Sequence, residues 1–538
     1  METQANTGHP RRWAILAVLV VSLLVVVLDN TVLNVALKSL ADPEKGLGAT
    51  QGQLEWAINS YTLVFAGMLF TFGVLGDRLG RKKVLMSGLV LFALTSLVSA
   101  YAQNPGQLIM ARAVMGLGGA AIMATTLPII TNVFDPRERA RAIGAWAGAV
   151  GIGVALGPIV GGALLERFWW GSIFMINLPI IAVGLVFIAT IVPDSKNPTP
   201  GRVDLPGVLL SIVGLAALVY GIIDGGEAGF DNITVWAWIA LGVLALAVFV
   251  WWENRTNHPS LDVKLFRDPR FAAATTLVGL SFFAAMGVFF FMSFYLQLVR
   301  GYSPLQTGLL MLPFAAAQLI FAPLSAGFVR KYGAKAVSAV GVTIVTLATA
   351  GYLTMTETSS VWLVIGMFFA FGIGMANIMP PATEAIMASV PREKAGVGSA
   401  VNNTVRQVGG ALGVAILGSV LSSVYRNGVS STVDGLPAQV PAQARDAITE
   451  SVAGAHAVAD GLANTPASGA AGVLLKAADG AFVDAVHAAA IGSVVVGLIS
   501  LIVVLGWLPG KARRADTATA RAEEAMTSER AVEAVEVG

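Results

Sequence analysis

The chain has 538 residues, 56% of them hydrophobic and only 12% charged, against about 25% charge in soluble domains, so it reads as a polytopic membrane protein. A formal net charge of +2 leaves no broad cationic face for nucleic acid. The absence of cysteine removes disulfides and thiolate chemistry, and four scattered histidines (His9, His258, His456, His487) give no basis for a metal centre.

A helix needs roughly 20 apolar residues to cross a bilayer. Fourteen stretches meet that requirement: 13–37, 54–75, 84–102, 107–130, 142–165, 168–192, 205–223, 233–252, 271–298, 305–329, 336–354, 361–390, 395–424 and 481–508. The first follows Arg11 and Arg12 and is too long for a signal core, so it is read as a span and not as a cleavable signal. An even number places both termini on one side. Of the 34 Lys and Arg residues, 25 fall in the termini and loops this assigns to the cytoplasm. Seven lie on the other side (Lys38, Lys45, Arg167, Arg300, Arg426, Arg445, Lys476), and Arg112 and Arg406 lie inside spans. One missed helix would invert every later loop, so this bias supports the topology.

Asp29 lies deep in the first span, followed closely by Asn30, Thr31 and Asn34. An ionised Asp at a helix centre costs about 2.5–3.5 kcal/mol on insertion scales. It must face a cavity, meet a partner or stay protonated. Two readings are open: a carboxyl that exchanges a proton as water access alternates, or a neutral packing residue bonded to its neighbours.

Between the second and third spans runs Gly73-Val74-Leu75-Gly76-Asp77-Arg78-Leu79-Gly80-Arg81-Lys82-Lys83. Its glycines permit a tight turn and its cations favour the cytoplasmic side. The string resembles the signature loop of the major facilitator superfamily. That resemblance implies an all-α major facilitator fold of two six-helix bundles, with Gly73, Asp77, Arg78, Gly80 and Arg81 forming a cytoplasmic gate loop. A worn copy at Ala326 to Lys335, with Gly333 where Gly80 stands and no acid, marks an internal repeat. Repeats of this kind place the substrate near mid-membrane, at their interface.

Further strings are similar to the fourteen-span drug:proton antiporter family of multidrug efflux permeases. Leu28 to Leu37 resembles its first-helix motif, with Lys38 where Pro is usual. Leu108 to Gly119 resembles the fourth-helix motif, whose Arg (Arg112 here) is associated with proton coupling; a structural Arg bonded to carbonyls is the other reading. Met115 replaces the usual Gln. Gly153, Gly157, Pro158, Gly161 and Gly162 in the fifth span match the antiporter motif, which makes a close-packing, bendable face and points to export. Gly171 and Ser172 replace an Arg and a Trp common in relatives, as in the branch that includes quaternary-ammonium exporters.

Candidate substrate-cavity residues are Asn34, Asn59, Phe291, Tyr295, Gln297, Gln318, Asn403 and Arg406, being polar or aromatic at membrane depth. Asp29 is the only acid clearly deep in a span; Glu384 is nearer the cytoplasmic end. No Walker loop is present, so neither an enzyme nor an ATP-driven pump is indicated, and no cofactor is implied.

The expected organisation is an N-terminal bundle (1–192), an inserted helix pair (193–256), five helices of the C-terminal bundle (257–425), an extracytoplasmic loop (426–480), the last span (481–510) and a cytoplasmic tail (511–538). The loop is rich in Ala, Gly, Ser and Pro, which argues against a packed domain; it holds short amphipathic helices such as 442–455, or none. The expected function is proton-coupled export of small hydrophobic drugs, antibiotics or biocides across a bacterial plasma membrane, with substrate, protons and the lipid bilayer as partners. A dedicated exporter of one endogenous metabolite and a non-transporting membrane sensor are the alternatives.

Overall fold

The structure, a computed structural model, describes residues 9–196, 204–256, 259, 261, 263–390, 395–436, 440–463 and 468–508. Among these there is helix and no strand. In chain order the helices are α1 (Arg12–Ala41), α2 (Gln51–Leu79), α3 (Arg81–Ala100), α4 (Pro105–Val133), α5 (Pro136–Arg167), α6 (Ser172–Met175), α7 (Asn177–Ile191), α8 (Leu205–Ala228) and α9 (Ile233–Arg255). They continue with α10 (Pro269–Phe294), α11 (Pro304–Tyr332), α12 (Ala334–Gly351), α13 (Val361–Ala388), α14 (Ala395–Asp434), α15 (Ala442–Glu450), α16 (Val452–Ala463) and α17 (Ser468–Trp507). Twelve helices among the described residues are long and apolar enough to cross a membrane, and α2, bent by 51° between Leu69 and Thr71, makes a thirteenth. The sequence reading gave fourteen; the remaining stretch falls on α5, a 32-residue helix.

The helices sort into two groups. α1 to α7 pack on one another, as do α10 to α14 with α17, while α8 and α9 pair at the side and lean through α8 on α2 and α14. The repeat is visible in how equivalent helices begin and end. α2 opens with a capping box, Thr50 with Gln53, and α11 opens with another, Ser303 with Gln306. Each box satisfies two backbone N–H groups that the first turn leaves without partners. Both helices stop at a glycine with positive φ, Gly80 (110°) and Gly333 (88°), where a side chain would be strained. Those glycines turn the chain into α3 and α12, at what we call the basic end of the molecule; the opposite end is the cap end.

The 168–192 stretch holds one candidate crossing, Ser172–Ile191, made of α6 and α7 in succession, and residues 168–171 precede it. The 426–480 stretch is largely helical: α14 continues to Asp434, α15 and α16 follow, and α17 begins at Ser468, so the last span starts 13 residues before 481. Small residues did not prevent packing, because they let helices approach closely. Ile448, Val452, Ala455 and Ala459 are buried, and Arg445 donates to the carbonyls of Val433 (3.0 Å) and Leu436 (2.8 Å). The 511–538 tail and His258 lie outside the described residues.

Candidate functional site

Asp29 and Arg112, 83 residues apart, form an ion pair inside the first group of helices, each side chain 1% exposed. α1 carries the carboxylate in and α4 brings the cation. Other helices complete the shell. Arg112 Nε donates to the Ala57 carbonyl of α2 (3.1 Å), and the guanidinium centre sits 4.5 Å from the Tyr61 ring centroid. Asn177, at the start of α7, reaches Asp29 Oδ1 at 3.5 Å and donates to Ser96 Oγ of α3 at 3.2 Å. Asn30 Nδ2 approaches the Tyr61 hydroxyl at 3.4 Å. Met115, the departure from the usual motif, lies with its sulfur 3.5 Å from Arg112 Nη1.

The arrangement shows what each residue bonds. Asp29 is not merely bonded to its own helix, and Arg112 does not bond carbonyls alone. Neither charge could be buried singly: breaking a buried pair by removing one partner typically costs about 3–5 kcal/mol.

The signature turn is at the basic end. Asp77 accepts from Arg81 (2.8 Å), whose Nη1 also reaches the Pro128 carbonyl (3.4 Å). Arg81 N donates to Ser195 O (2.9 Å), and a Cβ on Gly80 would meet the Asp194 carboxylate at 2.7 Å. The lone acid of the basic turn is thus paired with a cation four residues on. Gly73 has nothing within 4 Å of where a Cβ would stand, so space alone does not require glycine there.

The fifth-helix glycines serve two neighbours. Gly153, Gly157 and Gly161 face α1, where a Cβ would strike Val27, Thr31 and Val32. Gly162 faces Leu305 of α11, and the Pro158 carbonyl faces Gly308 of the same helix. Close by at the cap end, α1 and α10 are joined directly. Lys38 Nζ donates to Gln297 O (2.9 Å), Gln297 Nε2 donates to Val35 O (3.0 Å), and the Ser293 hydroxyl donates to Asn34 O. Gln297 stands in a π-turn, Tyr295–Val299, which widens the end of α10 and delivers both its carbonyl and its side chain to α1.

Several of the cavity candidates are engaged by other parts of the protein in this structure. Asn34 and Gln297 belong to this α1–α10 joint. Phe291 packs edge-on to Tyr352 (5.9 Å), and the Tyr295 hydroxyl donates to Thr356 O (2.6 Å), both within the second group. Asn59 is fully buried with neither amide atom hydrogen-bonded. Gln318, Asn403 and Arg406 are half-buried, the last with its guanidinium 4.4 Å from the Phe282 ring. A cavity of about 400 Å³ instead lies between α2, α8, α9, α10 and α14, and none of the eight lines it. The sequence reading also passed over Glu55. It is 1% exposed and close enough to α14 that a Cβ on Gly418 would strike its carboxylate. Standing in the first turns of its span, it reads as an interfacial acid from sequence alone; only its burial against α14 reveals it.

The fold and this site define a polytopic α-helical membrane protein with a charged pair sealed among its first helices. The family model "Major Facilitator Superfamily" matches residues 19–414. The chain is 35% identical to the multidrug efflux pump LfrA of Mycolicibacterium smegmatis over 93% of its own length and 97% of the relative's. It is 32% identical to the methyl viologen resistance protein SmvA of Salmonella typhimurium, covering 94% of this chain and 99% of that one. It is 31% identical to the tetracenomycin C resistance and export protein of Streptomyces glaucescens, covering 78% of each. Its fold is similar to that of a bacterial homologue of the lysosomal transporter Spinster in an inward-facing conformation (TM-score 0.62, 16% identity, 94% of this chain and 99% of that one). The chain belongs to the major facilitator superfamily and is a secondary transporter, not an enzyme.

Proposed function

We propose that the protein exports hydrophobic drugs or antibiotics from a bacterial cell in exchange for protons. The observation that carries the coupling is the Asp29–Arg112 pair. When Asp29 takes up a proton, Arg112 loses its counter-charge and must move or find another acceptor, which shifts the helices that hold it. The names of the relatives, which are efflux and resistance proteins, support drugs as cargo.

In this reading the basic end is cytoplasmic, α5 is the fourteenth span, and both termini are cytoplasmic. The two groups of helices are the two bundles, and α8 with α9 is an inserted pair. The bundles are joined at the cap end, so the state described is closed to the outside. The Asp77–Arg81 turn secures the cytoplasmic gate when the bundles rock the other way. The membrane potential contributes about 2.3 kcal/mol per charge per 100 mV, and a proton gradient adds to it.

The test is efflux of a fluorescent lipophilic substrate from cells making the wild type or Asp29→Asn, with and without an uncoupler. The expected result is energised efflux by the wild type only, collapsing with the uncoupler. Efflux that persists in both Asp29→Asn and uncoupled cells would refute proton antiport.

A further inference from the structure

The inserted helices α8 and α9 do not pack evenly along the seam between α2 and α14. Toward the cap end the contact is tight: Leu63 of α2, Val219 and Ile223 of α8, and Ala411 and Ala415 of α14 form one buried cluster. There a Cβ on Gly226 would strike Ser419, and Arg426 donates to Gly226 O at 2.5 Å. Toward the basic end α8 still touches α2, where a Cβ on Gly67 would strike Ile212, and a cavity of about 400 Å³ opens beside that contact, between the pair, α10 and α14.

That cavity has a built frame. Its walls come from both helix groups (Ala66 and Gly67 of α2, Gly279 of α10, Val408 of α14) and from the insert (Ser211, Phe249). Its floor is the chain leading to α10, represented by Leu261 and Phe266. The floor is held from two sides: Leu261 N donates to Glu253 Oε2 (3.2 Å), and Phe266 stacks edge-on against Phe271 (5.2 Å). The helix ends above it are tied by Trp252 Nε1 donating to Asp204 Oδ1 (2.9 Å). No charged residue lines the space. Of its hydroxyls, Thr275 donates to Phe271 O and Ser211 to Val208 O, whereas the buried Thr404 hydroxyl has no hydrogen-bond partner.

We infer that this space is a binding site for an uncharged, lipophilic, drug-sized molecule that hydrogen-bonds Thr404, and that the inserted pair is there to enclose it. The volume is in the range of small-molecule pockets, about 300–1,000 Å³, which are mostly apolar with a few placed polar groups. A phospholipid is the poorer occupant, because no cation inside the cavity meets its phosphate. Two bundles that separate at one end leave a slot facing lipid. Here the insert roofs that slot, turning it into a vestibule that a molecule dissolved in the adjoining leaflet can enter. The site lies apart from the Asp29–Arg112 pair, so occupancy does not require that pair to open. The inference rests on the export reading only for why a ligand should be present.

The experiment is equilibrium binding of the uncharged dye N-phenyl-1-naphthylamine to the full chain in lipid nanodiscs, where no proton gradient exists. Ser211→Trp, which fills the cavity, weakens binding tenfold or more. Thr404→Val, which keeps the shape and removes the hydroxyl, weakens it three- to fivefold. Val243→Trp, on the exposed face of α9, leaves it unchanged. A photoactivatable uncharged analogue labels peptides containing residues 204–215 or 404–412 of the wild type, an outcome that needs no variant to fold. Unchanged dye affinity in correctly folded Ser211→Trp, labelling confined to other peptides, or a co-purified phospholipid that the dye cannot displace would each overturn the proposal. Loss of proton-driven efflux with dye binding intact would instead count against the coupling reading alone.

Discussion

Asp29 and Arg112 were legible as residues because a charge inside an apolar run is too costly to be incidental. Their pairing was not: 83 residues separate them, and nothing in a linear pattern says which faces of α1 and α4 meet. The contacts of Phe291 and Tyr295 were no more legible. A membrane helix is apolar on its lipid side and its protein side, so periodicity does not tell an inward ring from an outward one. At this scale the pair makes asymmetric predictions. Arg112→Ala leaves Asp29 without its counter-charge in a sealed site, and the purified protein melts lower by several degrees, on about 3–5 kcal/mol for one removed partner. The double variant Asp29→Asn/Arg112→Gln recovers most of that loss in the same thermal scan, since no lone charge remains. Neither variant restores uncoupler-sensitive efflux. Recovery of stability without recovery of coupling separates the electrostatic role from the packing role.

At the scale of elements, the glycines of α5 explain why that helix can serve both α1 and α11. A methyl on Gly157 would occupy the place of the Thr31 hydroxyl. Gly157→Ala therefore destabilises the protein, by about 1–3 kcal/mol as over-packing usually does, and Thr31→Ala in the same chain relieves it; melting curves of the two variants check this. The α1–α10 joint predicts a population effect. Each cross-bundle hydrogen bond is worth about 0.5–1.5 kcal/mol net, so Lys38→Met with Ser293→Ala and Gln297→Leu shifts the chain toward a state open at the cap end. The chain has no native cysteine, so spin labels at Asn104→Cys and Thr358→Cys report that shift as a longer distance. Lys38 was noticed in the sequence as a departure from Pro and as a cation outside the cytoplasmic loops; its partner is a carbonyl, which no side-chain motif records. In the 426–480 stretch short helices were one of two open readings, and their packing was not legible, for a related reason. Ala-, Gly- and Ser-rich composition is shared by unpacked loops and by helices that pack closely.

Across the whole molecule the sequence was most informative. The number of apolar runs, the Lys and Arg bias and the repeated turn together implied two like bundles with a pair between them, and the positive-φ glycines Gly80 and Gly333 stand at equivalent turns. What the sequence did not convey is that the inserted pair packs unevenly, because that depends on the tilt of α8 against two helices far away in the chain. The orientation proposed here predicts that a membrane-impermeant maleimide labels Asn427→Cys in intact cells and labels Leu79→Cys only after permeabilisation.

The central claim is that one buried carboxyl group exchanges its proton when substrate is bound or released. It is tested most directly by adding a transported substrate to the purified protein in weakly buffered solution and following a pH indicator. The account predicts about one proton exchanged per molecule bound by the wild type and none by Asp29→Asn at matched occupancy. Equal proton exchange by the two, or none by a wild type that demonstrably binds the substrate, would contradict it.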